Sequence, residues 1–63
     1  MSGEWQVVLK DGTKFVGKRT WQAIWREGFT ERAYQVVATQ NSPFKEGKIV
    51  VLGFGSILYR VRL

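Results

Sequence analysis

The chain contains no cysteine and no histidine, and each absence closes off a class of chemistry. Without cysteine there are no disulfides, no thiol redox centre and no thiolate nucleophile, and without either residue the usual zinc ligand sets cannot form. Histidine is also the commonest general acid or base near neutral pH, and a nucleophilic serine generally needs such a partner. The acidic residues Glu4, Asp11, Glu27, Glu31 and Glu46 are scattered over turns and element ends, with no Asp-x-Asp or similar pair. A magnesium site is therefore not expected. These absences describe a binding domain without metal or cofactor rather than an enzyme.

Proline is nearly absent as well: Pro43 stands alone, in the turn cluster Gln40-Asn41-Ser42-Pro43. No linker, internal repeat or low-complexity tract divides the chain, so one domain spanning 1–63 is expected. No apolar run approaches the roughly twenty residues of a membrane-spanning helix. No signal peptide is read at the N-terminus. The expectation is a cytoplasmic protein that makes no membrane contact.

What the chain does have is apolar bulk and positive charge. Sixty-three residues, 44% of them hydrophobic, with three Trp, four Phe and two Tyr, are enough for a small core held by packing alone. Ten Lys and Arg against five Asp and Glu leave a formal charge of +5 and a pI near 10.1, an imbalance that draws polyanions.

The apolar pattern is mostly that of strands. From 4 to 9, Trp5, Val7 and Leu9 alternate with Gln6 and Val8, the period of a strand with one buried face. Lys10-Asp11-Gly12-Thr13 supplies a hairpin turn, since Asp-Gly accommodates the positive φ that tight turns need. The return strand, 13–19, sets Phe15 and Gly17 against Lys14, Val16 and Lys18. Between 20 and 27, Trp21, Ile24 and Trp25 fall at helical spacing, with Thr20 placed to cap and Gly28 to terminate a short helical turn. A strand continuing from Arg19 is the alternative there. Residues 31–39 read as a third strand, with Tyr34, Val36 and Ala38 on one face. After a loop over 41–47, a fourth strand covers 48–52. Gly53-Phe54-Gly55-Ser56 makes a tight connection, and 57–63 forms a fifth strand with Ile57, Tyr59, Val61 and Leu63 opposite Leu58, Arg60 and Arg62. Five short strands joined by tight turns predict an all-β, five-stranded antiparallel barrel, SH3-like or, alternatively, OB-like.

Candidate binding residues follow from the charge and the aromatics. Lys14 and Lys18 share one strand face, Arg19 follows them, and Arg60 and Arg62 share another. Facing outward, such rows suit phosphate backbones, whereas any one of them alone is simply a solvated strand face. Trp5 is in register with Val7 and Leu9 and reads as core. Trp21 and Trp25 flank Arg19 and Arg26, an arrangement that can stack on an unpaired base or wedge into a groove. The bland counterpart is an apolar stripe of Trp21, Ile24 and Trp25 that plugs the barrel end. Phe44, in a loop near Lys45 and Lys48, is a further stacking candidate, Tyr34 reads as core, and Phe54 as either core cap or contact. Gly53-Phe54-Gly55 contains a G-x-G, but it lacks the third glycine of a dinucleotide site and reads as a turn.

In size, basicity, lack of cysteine and β-rich pattern the chain resembles the small chromatin proteins of archaea, whose barrels lay a strand face on duplex DNA. The likeness carries no motif across, and small basic phage or ribosome-associated domains share it. The expected function is nucleic-acid binding, DNA or RNA, with little sequence preference. Its residues would be Lys14, Lys18, Arg19, Arg26, Arg60 and Arg62 on phosphates and Trp21 and Trp25 on bases. A monomer is expected. The alternative is an SH3-like protein-interaction module or accessory subunit steered to an acidic protein partner.

Overall fold

The computed structural model describes residues 3–40 and 42–63, so Asn41 of the expected loop lies outside the described residues. The elements run β1 (Glu4–Leu9), β2 (Lys14–Lys18), α1 (Trp21–Ile24), β3 (Glu31–Gln40), β4 (Ile49–Gly53), a 3-10 turn (Phe54–Ser56) and β5 (Ile57–Arg62). The strands form one antiparallel sheet in the order β4-β3-β2-β1-β5, curled into a half-barrel. β1 to β4 form a meander, and β5 returns to pair with the free side of β1, as in a small all-β barrel.

The first hairpin closes as its residues dictate. Gly12 takes φ +93°, where a side chain would be strained, and the Asp11 carboxylate accepts the Thr13 N–H at 2.9 Å. Leu9 N–H donates to the Thr13 carbonyl at 2.9 Å, which fixes the register that follows. β2 then points Phe15 and Gly17 inward and Lys14 and Lys18 out.

At α1, Thr20 caps as expected, its hydroxyl accepting from Ala23 N at 3.2 Å. The helix ends at Ile24, earlier than the expected 27, and Gly28 is not its terminator. Arg26 and Glu27 continue in tighter turns, their N–H groups reaching Ala23 O at 2.9 Å and Ile24 O at 3.2 Å. The cause is Glu27, whose carboxylate accepts from Ala33 N at 2.8 Å and draws the chain onto β3.

Val7, Leu9, Phe15, Tyr34, Val36 and Leu52 form the core, with Trp5, Phe44, Val50 and Ile57 packed against it. Phe15 is its centre, meeting Tyr34 edge-on at 6.0 Å and Phe44 edge-on at 5.3 Å between ring centroids. Ala23 buries the inner side of α1 over β3 and β4, so the helix closes one end of the half-barrel.

Two bulges overturn part of the expected alternation. Between β2 and β3 the register passes from Val16↔Ala38 to Gly17↔Val36, leaving Val37 as the extra residue. Ala38 therefore joins Val16 on the outer face instead of Tyr34 and Val36. Between β1 and β5 it passes from Val8↔Tyr59 to Leu9↔Ile57, leaving Leu58 extra. An inserted residue shifts the phase of everything beyond it by one. Ile57 sits with Leu9 over the core, but Tyr59 and Val61 lie outside with Val8 and Gln6. Arg60 and Arg62, expected to face outward, lie on the inner face opposite Val7 and Trp5.

Candidate nucleic-acid interface

The residues expected to bind phosphates and bases occupy four settings, not one. Lys14 and Lys18 stand exposed on the outer face of β2, either side of Val16. Arg60 and Arg62 approach Trp5 from the inner face, their guanidinium carbons 4.9 and 6.0 Å from the indole centre. Arg60 also donates to the Tyr34 hydroxyl at 2.7 Å. Trp21, Trp25 and Arg26 project from α1 and the turn after it, beside the end that the helix closes.

Arg19 is not available as a free phosphate contact. Both of its terminal nitrogens bond the Glu27 carboxylate, Nη2 at 2.8 Å to Oε1, and Nη1 also reaches the Ala33 carbonyl at 3.0 Å. Its guanidinium lies 5.5 Å from the centre of the Tyr34 ring. The Arg19 hydrogen bonds, reinforced by the Ala33 N–H, hold the Glu27 carboxyl well below its usual value, at about 2. The pair is close to neutral as seen from outside, and its work is to tie the segment after α1 to β3.

What the structure does bring together is aromatic surface. Trp21 is 76% exposed, Trp25 83% and Phe29 fully so. Of the stripe Trp21, Ile24 and Trp25 expected as the alternative plug for the barrel end, only Ile24, half-buried, turns inward beside the buried Ala23, which leaves both tryptophans in water. Trp21 and Trp25 line a shallow cleft of about 370 Å³ with Ile24 and Glu27. A second, of about 430 Å³, is lined by Arg19, Ile24, Glu27, Gly28, Phe29 and Arg32. The two share Ile24 and Glu27 as a common wall, so the three aromatics border one ridge. Arg26 is exposed beside Trp25, and the Arg32 guanidinium carbon lies over the Phe54 ring, 4.5 Å from its centre.

Phe29 and Arg32 were not singled out from the sequence. The signal was there for Phe29, an aromatic between Gly28 and Thr30 in a connecting segment, where contacts often lie. That same reasoning pointed to Phe44, which the structure places half-buried against Phe15, packed on the core rather than offered to a base. Phe54 is the partly exposed seat of Arg32. Tyr34 and Trp5 sit in and against the core as their registers indicated.

Chemically, this end of the molecule offers exposed aromatic faces, with Arg32 lining the cleft that holds Phe29 and Arg26 next to Trp25 in the chain. Among the described residues no group of three or more His, Cys, Asp or Glu side chains could hold a metal ion, and no helix is long and apolar enough to cross a membrane. No protein-family model, curated protein or solved structure matches the chain, and the role of this surface is to be read from its own residues.

Proposed function

We propose that the chain binds nucleic acid with little sequence preference, stacking unpaired bases on Trp21, Trp25 and Phe29 while Arg26 and Arg32 meet the flanking phosphates. The observation that carries this reading is the exposure of three large aromatic side chains along one short segment bordered by arginines. Apolar groups of this size are rarely left in water together unless a partner covers them. Every base has a face that can stack, each such contact contributes about 1–3 kcal/mol, and stacking tolerates any sequence. The formal charge of +5 would attract the strand from a distance. Because the aromatics project from a helix and a loop instead of a flat strand face, single strands suit them better than duplex.

Titration of tryptophan fluorescence with single-stranded and duplex oligonucleotides, at low and then high salt, tests this. Strong quenching by single strands is expected, with log affinity falling against log salt at a slope of roughly −2 if about three phosphates are neutralised. Trp21→Ala and Trp25→Ala should each weaken binding by about 1–3 kcal/mol while leaving the unfolding midpoint unchanged, since neither indole is buried. A response indifferent to salt, or unaltered affinity in both variants, removes the proposal.

A protein-interaction role has its own support in Leu58, Tyr59, Val61 and Leu63, all exposed at the far edge of the sheet. It concerns a different surface.

A further inference from the structure

β5 is an edge strand: among the described strands it pairs with β1 alone. Its ladder is bracketed by Leu63 N–H to the Glu4 carbonyl and Lys10 N–H to the Ser56 carbonyl, each 3.0 Å. In an antiparallel pair the residues bonded to the neighbour alternate with residues that are not. With Leu63 bonded to Glu4, Val61 and Tyr59 also turn their peptide groups to β1. Arg60 and Arg62 turn theirs to the open side.

The side chains on this edge are sorted by face. Tyr59, Val61 and Leu63 present exposed apolar surface outside. Arg60 and Arg62 lie inside, stacked on Trp5, and Arg60 is further fixed by the Tyr34 hydroxyl. Guanidinium groups held in this way lose little freedom when they meet a carboxylate. No acidic residue occurs in β5, and the acidic residue of β1, Glu4, is opposite Lys18 on the other face. A second β5 would be a poor neighbour, because it would bring arginine rows together on one face, and like charges across a ladder destabilise it.

We propose that the open edge of β5 takes up an extended segment of another protein as an added strand. The segment would carry carboxylates at alternate positions to meet Arg60 and Arg62, and apolar side chains between them to cover Tyr59 and Val61. Backbone bonding to Arg60 and Arg62 would supply the docking, and the alternation of acid with apolar the selectivity. This surface is separate from Trp21, Trp25 and Phe29, so the two readings stand or fall apart.

The test is amide hydrogen exchange on the full chain, read residue by residue, with a short synthetic peptide alternating Glu and Val. Arg60 and Arg62 amides, fast in the free chain, should slow by about tenfold or more on saturation, while Val61 changes little. The same peptide with Lys for Glu, or with the Glu amides N-methylated, should leave them fast. Arg62→Glu should weaken the Glu peptide by at least about tenfold and improve binding of the Lys peptide, which also shows that the variant is folded. Trp21→Ala should leave peptide affinity unchanged. The proposal is overturned if the Glu peptide protects neither arginine amide, or if the Lys peptide binds the unaltered chain equally well. It is also overturned if the same amides slow merely on raising the protein concentration, which would assign the edge to a second copy.

Discussion

At Gly17 a Cβ would lie 2.6 Å from the Cβ of Tyr34 and 3.0 Å from the Phe15 ring, both parts of the core and neither free to retreat. Gly17→Ala should therefore cost about 1–3 kcal/mol, the usual range for overpacking, seen as a lower urea midpoint with unchanged slope. Tyr34 is the other side of that contact, and its hydroxyl and ring also receive Arg60 and Arg19, so one buried phenol joins β2, β3 and β5. Glu27 makes the fold sensitive to acid. Its carboxyl titrates at about 2 when folded, against an ordinary 4.5, so between those values the unfolded chain binds more protons. The stabilisation is complete above about pH 4.5 and is lost as pH falls toward about 2. Urea midpoints measured down that range should decline, and Glu27→Gln should start lower and decline less steeply.

α1 is a single turn, too short to persist alone, and it stands on the Thr20 cap and the burial of Ala23. Thr20→Ala should cost about 1 kcal/mol by thermal unfolding, and oligonucleotide affinity should weaken with it, since Trp21 and Trp25 depend on that turn for their placement. The same element shows how legible the molecule was. Its cap and start were written in Thr20 and the spacing of Trp21, Ile24 and Trp25, but its end was set by Glu27 reaching Arg19 and Ala33, partners distant in sequence. β1 was legible to the residue because it runs without interruption between two neighbours. β3 and β5 were legible as strands but not in phase, since nothing local marks Val37 or Leu58 as bulged. The shift at Leu58 turned Arg60 and Arg62 inward and divided the expected phosphate surface. Trp21 and Trp25 were singled out from the sequence and are exposed, whereas Phe29, equally exposed, was missed because it has no periodicity to betray it.

The whole molecule measures 26 × 23 × 20 Å, comparable to the distance over which charges interact in dilute buffer. At about 0.01 M salt the screening length is roughly 30 Å, so the ten positive and five negative groups all influence one another and the excess of +5 opposes compaction. At about 0.15 M the length falls to roughly 8 Å, and the repulsion fades while the half-buried Arg19–Glu27 pair is little affected. Tm should therefore rise over that interval, measured in the absence of any polyanion. One more property follows from the bond between Leu63 N–H and the Glu4 carbonyl. The two ends of the described chain are neighbours, so a few glycines could join them while new termini are opened at Asp11 and Gly12. Such a circular permutant keeps every ladder, turning β1–β5 into a local hairpin and β1–β2 into the pairing of greatest sequence separation. One distant pairing replaces another, so its refolding, followed by stopped-flow fluorescence, should run at about the rate of the parent.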